Sequence, residues 1–278
     1  MLGLKFEITE KDLDFVVDTA VPQAQDKQKL KRYIKEDESF RRGIIGSPRV
    51  LERVMQSSEI LLKISPRLLF EILLRGTRSE LEKRTWVLER VGTQKIPVFG
   101  LDKIVALLGE EEILDYLANM LSSFTKIDTF TLVIRVRSGV WRKIRFNDMD
   151  IDSLIKFSEI IDEENRFAFY KRIADVCLFI SGVFPEYMMF DYGLPGKNST
   201  GSRITRRFRK SAEEYEIEGR KFYKLASAHE MAKAANLSEV LEKLSENFNL
   251  VKRSLDFLTQ QYLSLTKYKF FNVENPSF

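Results

Sequence analysis

The chain is poor in the residues that form disulfides and bind metals. It has one cysteine, Cys177, and one histidine, His229, among 278 residues. A disulfide within the chain is therefore impossible, and nothing requires an oxidising compartment. A structural zinc ion needs four nitrogen or sulfur ligands, and a catalytic zinc ion usually needs a histidine. We therefore expect no zinc and no other cofactor.

Long apolar runs are missing as well. The longest, from Ile173 to Phe184, is interrupted by Asp175 and is shorter than the ~20 residues that span a bilayer. The opening residues turn acidic at Glu7 and lack the apolar core of a signal peptide. We therefore expect a protein that stays in the cytoplasm and does not enter the membrane.

The overall composition is that of a folded protein. Hydrophobic residues make up 44% of the chain and charged residues 31%, which excludes disorder over most of its length. The net charge of +4 is too small by itself to imply nucleic acid. The abundance of Lys, Arg and Glu is compatible with a thermophilic source.

Short helices with clear start signals fill the first 125 residues. Thr9 and Asp12 open a helix, and Ser47 and Ser65 each cap a helix whose first residue is proline. The predicted helices lie near 10–20, 25–35, 78–91, 101–108 and 110–124, together with those beginning at Pro48 and Pro66. The helix over 78–91 is predicted to stop at Gly92. Residues 1–125 are thus predicted to form an N-terminal bundle.

The one strong β signal lies within 126–148. Two alternating runs between Thr129 and Phe146 flank Ser138-Gly139, and a three-residue loop, 137–139, would put glycine at its favoured left-handed position. That register separates an apolar face from a basic one. The apolar face comprises Phe130, Leu132, Ile134, Val136, Val140, Ile144 and Phe146. The basic face comprises Arg135, Trp141, Lys143 and Arg145.

Residues 149–278 are predicted to form a helical C-terminal domain. Helices near 152–162 and 164–184 precede a loop rich in glycine, 191–202. A heptad pattern then continues for more than three repeats. Its members are Leu237, Leu241, Leu244, Phe248, Val251, Leu255, Leu258 and Tyr262. The preceding helix, near 210–235, offers Tyr215, Gly219, Phe222, Ala226 and His229 in the same spacing.

A short joint at 235–238 would make these two helices antiparallel neighbours. The fold class is therefore mainly α: a multi-helix bundle with one β-hairpin insertion and a long antiparallel helical hairpin over 210–265. Gly219 and Ala226 would let the two helices approach closely. This placement predicts His229 as a packed, hydrogen-bonded histidine in the seam. Cys177, in an apolar helix, is predicted to be buried and inert.

A weak calcium motif overlaps a helix start. Asp148, Asp150, Asp152 and Glu159 occupy positions 1, 3, 5 and 12 of a calcium loop, but Ser153 stands where such a loop needs glycine. The interpretation that we favour is that these aspartates cap the helix near 152 and favour its dipole. Calcium binding is the less favoured alternative.

Two basic elements are the best candidates for a binding site. Arg203, Arg206, Arg207, Arg209 and Lys210 bring five cations into eight residues. Together with the basic face of the hairpin they could contact phosphates or an acidic protein, with Trp141 available for stacking. A solvated surface paired with the nearby glutamates is the competing interpretation.

No motif assigns a reaction to this chain. The leading hypothesis is a non-enzymatic helical scaffold or protein-interaction protein, which pairs with a partner protein or with itself through a helical surface. The alternative is a nucleic-acid-associated protein that uses the two basic elements. A second alternative is a carboxylate-based enzyme, which would require two acids facing each other in a pocket; Glu110–Glu112 and Asp162–Glu164 supply acids but also favour helix dipoles.

Overall fold

The structure is a computed structural model that describes residues 8–57, 59–91, 94–126, 129–137, 140–147, 149–188 and 210–271. Within these ranges the side chains of 89–91, 94–95, 129–137 and 140–147 are not described. The fold is mainly α, as predicted, and it divides into two compact units. Among the described helices, none combines the length and the apolar character needed to cross a bilayer.

The N-terminal unit consists of the chain up to Ser122 together with Phe257–Ser264. Its helices are α1 (Glu10–Ala20), α2 (Lys27–Glu36), α3 (Glu38–Ile45), α4 (Pro48–Gln56), α5 (Ile60–Lys63), α6 (Pro66–Glu82), α7 (Asp102–Gly109) and α8, which begins at Glu111 and ends at Ser123. A π-helical turn, Thr259–Leu263, also belongs to this unit.

Predicted caps fix the start of two of these helices. Thr9 and Asp12 form a reciprocal capping box on α1. The Ser65 hydroxyl accepts a hydrogen bond from the Leu68 amide at 3.2 Å, with Pro66 as the first residue of α6. Asp12 also accepts from the Ser65 amide at 2.7 Å, so one buried carboxylate joins the starts of α1 and α6.

The predicted helix over 78–91 is wrong. The helix α6 runs on to Glu82, and an antiparallel hairpin follows, made of β1 (Trp86–Val91) and β2 (Gln94–Phe99). The described residues therefore contain two hairpins where one was predicted. The chain is in strand β1 up to Val91, so no helix reaches Gly92, which itself lies outside the described residues. The two-stranded sheet can accommodate Pro97 in β2, because both of its strands are edge strands.

The C-terminal unit comprises Ser123–Asp256 and Leu265–Phe278. It contains β3 (Thr129–Arg137), β4 (Val140–Asn147), α9 (Ile151–Ile160), α10 (Arg166–Val183), α11 (Ala212–Ala228), α12 (Glu230–Ala234), α13 (Ser238–Glu246), α14 (Phe248–Leu258) except for its last two residues, and α15 (Lys267–Phe270). The sequence-based division kept all of 149–278 in one C-terminal domain. In the structure, Phe257–Ser264 is grouped with the N-terminal unit instead.

The β3–β4 pairing has the predicted register over most of its length. Arg135 pairs with Trp141, and Leu132 pairs with Ile144. At the tip the register shifts, because Arg137 pairs with Val140 where the prediction placed it in the loop. The shift leaves Val136 as a bulge. The predicted apolar face of this hairpin involves side chains outside the described residues.

The antiparallel helical hairpin is present, with two interruptions that the sequence pattern did not predict. Asn249 donates to Glu216 at 2.6 Å, and Ser245 donates to the carbonyl of Arg220 at 2.8 Å, so residue numbers fall on one helix as they rise on the other. The first predicted helix ends at Ala228 and the second breaks at Asn247. All seam residues from Leu237 to Leu258 are buried, and Tyr262 is half-buried.

The core of the C-terminal unit is built around α10. Its residues from Ile173 to Val183 are all buried, which explains why this helix has apolar residues on every face. Phe179 stacks on Phe124 with ring centres 4.0 Å apart and meets Phe184 and Phe271 edge to face. This aromatic cluster therefore joins the first and the last described segments of the C-terminal unit, through Phe124 and Phe271.

Candidate functional site

The predicted basic elements are only partly described. The positions of Arg135, Trp141, Lys143 and Arg145 are known through the backbone pairing of β3 and β4. Arg203, Arg206, Arg207 and Arg209 lie outside the described residues. Lys210 is described, and its ammonium lies 3.4 Å from a carboxylate oxygen of Asp152.

The acids of the calcium motif have other roles where they are described. Asp150 caps α9: one oxygen accepts from the Ser153 amide at 3.3 Å and the other accepts from the Ser153 hydroxyl at 2.9 Å. Asp152 pairs with Lys210, Glu159 is exposed, and Asp148 lies outside the described residues. Within the described part of the chain, no group of three or more histidine, cysteine or carboxylate side chains is arranged to hold a metal ion.

His229 is hydrogen-bonded, as predicted, but it lies at the α11–α12 joint and is half-buried rather than packed in the seam. Its Nδ1 accepts from the Met231 amide at 3.1 Å, so His229 caps α12. Since Nδ1 accepts, the proton sits on Nε2, which donates to the carbonyl of Glu163 at 2.8 Å. Both ring nitrogens therefore hold backbone segments together.

Cys177 is fully buried, as predicted. Burial is the main reason that its pKa lies far above that of an ordinary thiol, and the charge of Glu218 acts in the same direction. Two residues earlier, Asp175 is also buried and accepts from the Tyr223 hydroxyl at 2.9 Å and from the Lys171 ammonium at 2.7 Å. This polar cluster ties α10 to α11.

An extended charged cluster joins α6 to α8. Arg67, which is 5% exposed, donates to Glu71 at 3.0 Å and to Asp115 at 2.6 Å. Arg75 donates to Glu71 at 2.9 Å and grips Glu111 with two hydrogen bonds of 3.1 and 2.7 Å. Each of the three acids thus has an arginine partner, an arrangement that suits buried charges.

The environment moves the pKa values of the outer acids in opposite directions. Burial raises the pKa of Asp115, and the nearby Arg67 offsets only part of that rise. Burial also pushes the pKa of Glu111 upward, but the hydrogen bonds and charge of Arg75 outweigh it and leave that pKa below its ordinary value. The arrangement anchors two helices to each other. An acid–base enzyme needs two acids that face each other in a pocket, and this cluster does not have that geometry.

A cleft of about 610 Å³ opens beside the β1–β2 hairpin. We call it the hairpin cleft. Its lining residues are uncharged except for two cations, and they are Lys83, Arg84, Thr85, Trp86, Val87, Leu88, Phe257, Gln260 and Gln261. The Arg84 guanidinium lies over the Phe257 ring, 5.1 Å from its centre, which combines a cation with an aromatic wall.

The apolar lining of this cleft continues onto one face of the hairpin. Trp86 pairs with Phe99 and Leu88 pairs with Pro97 across the strands, and directly paired residues share a face. The exposed fractions are 47% for Trp86, 44% for Leu88 and 66% for Phe99. A two-stranded sheet has no second layer of its own to cover such a face.

The sequence interpretation missed this site because it assigned 78–91 to a helix. A signal was present: Trp86, Val87 and Val91 favour strands. The dipeptide Gly92-Thr93 followed by Ile96-Pro97-Val98 is typical of a turn and an edge strand. The contribution of Phe257, about 170 residues later in the chain, had no local signal.

Comparison of the chain with family models, with curated proteins and with solved structures found no match. The side chains of the described residues are therefore the basis for inferring a function.

Proposed function

We propose that this chain is a helical scaffold that binds a partner protein through the hairpin cleft. The observation that carries the proposal is the exposed apolar face of Trp86, Leu88 and Phe99, which is continuous with the cleft. Exposed apolar surface of this kind is typical of interaction sites, and tryptophan is enriched among the residues that dominate binding energy.

The charges of the cleft favour a particular kind of partner. Lys83 and Arg84 are its two charged lining residues, and both are held by Glu80 at 3.2 and 3.8 Å. These are largely exposed pairs within one helix turn, which contribute about 0–1 kcal/mol each. A partner carboxylate can replace Glu80 at little cost. The proposed partner segment therefore carries apolar side chains flanked by acidic ones.

Fluorescence anisotropy of the full chain with labelled peptides tests this function. The peptides share a Leu- and Phe-rich core and carry glutamate, lysine or serine flanks. We expect the glutamate-flanked peptide to bind most tightly. The double variant Trp86→Ser and Leu88→Ser should bind this peptide at least about tenfold more weakly, since each buried apolar side chain contributes about 1.5–3 kcal/mol.

The matched control is Ile96→Ser, which removes an apolar residue that is 40% exposed on the other face of the same hairpin. Its binding should equal that of the wild type. The proposal fails if the lysine-flanked peptide binds equally well, if the double variant keeps its affinity, or if no peptide binds. Concentration-dependent self-association that the double variant abolishes would assign the surface to a second copy instead.

Nucleic-acid association is the alternative, and the backbone register of β3–β4 favours it. Arg135 is opposite Trp141, and Lys143 and Arg145 follow at alternate positions, so all four positions lie on one face of the hairpin. Binding to mixed-sequence RNA or DNA that falls steeply with salt would support this function. Unchanged binding by the Arg206→Glu with Arg207→Glu variant would argue against it.

A further inference from the structure

A second cleft, of about 500 Å³, lies between α1, α4 and α5 in the N-terminal unit. We call it the basic cleft. Three cations line it, Arg49 and Arg53 from α4 and Lys63 at the end of α5. Phe15 of α1 supplies an aromatic wall. This site is separate from the hairpin cleft and has no part in the function proposed above.

The cations of this cleft form no ion pair with a carboxylate among the described residues. Across the described residues, neither Arg49 nor Arg53 has a hydrogen bond or an ion pair. The Lys63 ammonium donates to the Ser57 hydroxyl at 3.2 Å and contacts no carboxylate in the part of the chain that is described. All three cations are exposed, so they can reorient toward a ligand.

Both acids of the cleft already have a partner. Asp18 pairs with Lys27 at 2.7 Å, and Glu52 accepts from the side-chain amide of Gln56, another lining residue, at 3.1 Å. With Asp18 neutralised by Lys27, the cleft has three cations and one remaining acid, Glu52. Its net charge of two positives matches the dianion of a phosphate monoester.

The neighbouring helices show that this absence of pairing is local. The acids of α1 face lysines of α2, where Lys31 pairs with Asp14 and Lys35 pairs with Glu10. On α4, by contrast, two arginines stand four residues apart. Such like charges destabilise a helix by about 0.2–0.5 kcal/mol. The spacing of these two arginines therefore adds nothing to the stability of α4, and an anionic ligand would account for it.

We propose that the basic cleft binds a small organic phosphate monoester. The Arg49 and Arg53 guanidinium groups hold the phosphate, because their planar forks match its oxygens, and Lys63 adds a third donor. Phe15 packs against the apolar or aromatic body of the ligand. The volume of the cleft is in the range of small-molecule sites. Binding is expected to be favoured by the aromatic body as well as by the charge.

Isothermal titration of the full chain tests this site, with phenyl phosphate, inorganic phosphate and phenol as probes at one fixed ionic strength. We expect phenyl phosphate to bind more tightly than inorganic phosphate, and phenol not to bind. The double variant Arg49→Gln and Arg53→Gln should bind phenyl phosphate at least about tenfold more weakly, because hydrogen bonds to charged groups contribute about 1.5–3 kcal/mol each.

Two further variants make the result specific. Asp18→Asn leaves the charge of Lys27 unpaired beside the cleft, makes the cleft more positive and should tighten binding by about threefold, a gain that misfolding cannot produce. Arg220→Gln with Lys233→Gln removes two cations from helix surfaces outside the cleft and should leave binding unchanged. Equal weakening by this control pair, equal affinity for phenyl phosphate and inorganic phosphate, or absence of binding overturns the proposal.

Discussion

Gly219 shows how a single missing side chain sets the spacing of two helices. A Cβ atom placed on this residue would lie 2.3 Å from the Phe248 ring and 3.0 Å from Cβ of Cys177. Phe248 and Cys177 are both fully buried, so neither can move aside freely in a close-packed core. The heptad spacing predicted this close approach, and the structure confirms it.

Replacing Gly219→Ala should lower the free energy of unfolding by about 1–3 kcal/mol, because the cost of overpacking exceeds the helix propensity of alanine. Gly43 in α3 is the matched control, since a Cβ there meets no atom within 4 Å. Gly43→Ala should raise the unfolding free energy by up to about 1 kcal/mol. Urea unfolding followed by circular dichroism measures both changes, and stabilisation by both would contradict the packing argument.

Among the helices, the tie between α6 and α8 depends on the ionisation of Glu111. Arg75 holds this carboxylate with two hydrogen bonds, and Arg42 lies 3.3 Å away. The pKa of Glu111 is pulled upward by burial, and the arginines lower it to below its ordinary value. A carboxyl group whose pKa is lower in the folded state stabilises the fold above its unfolded pKa and loses that contribution as the pH falls.

Glu111→Gln should therefore lower the unfolding free energy by about 2 kcal/mol at neutral pH. The difference in unfolding free energy between this variant and the wild type should shrink as the pH falls below 4.5, the ordinary pKa of glutamate. The control is Glu82→Gln, which breaks an exposed pair with Arg78 and should cost less than about 1 kcal/mol. Denaturant unfolding at neutral and acidic pH measures the difference, and a constant gap across that range would refute the linkage.

The elements that the sequence predicted well are those with strong local signals. Capping residues placed α1 and α6, the heptad spacing placed the seam from Leu237 to Leu258, and strand alternation placed most of β3 and β4. The breaks at Ala228 and Asn247 were missed because the apolar spacing runs through them. The helix ends there are set by tertiary contacts such as the bond from His229 to Glu163, which have no local pattern.

The candidate sites were harder to predict for a different reason. The hairpin cleft combines Trp86 with Phe257, and the basic cleft combines Phe15 with Arg49 and Lys63. Each of these residues is unremarkable within its own segment. Only long-range packing brings them together, so a reading of local periodicity has no means of finding them.

At the scale of the whole molecule, the chain forms its N-terminal unit from two separated segments. Phe257–Ser264 belongs to this unit, although the residues on both sides of it belong to the other. The Tyr262 hydroxyl lies 3.2 Å from the position that a Cβ atom would take on Gly76. Burial of the Tyr262 side chain raises the pKa of its hydroxyl to about 12. The N-terminal helices thus depend on a segment more than 130 residues beyond α8.

This division predicts a regional response to core mutations, because stability varies among cooperative parts of a protein. Leu263→Ala and Leu244→Ala each remove a buried side chain, at a cost of about 2–5 kcal/mol. Hydrogen exchange should accelerate in α4 and α6 for Leu263→Ala, and in α11 and α13 for Leu244→Ala. The opposite result would be faster exchange in α11 and α13 for Leu263→Ala, with α6 still protected. Phe257–Ser264 would then stabilise the C-terminal unit, and the two-segment composition of the N-terminal unit would be wrong.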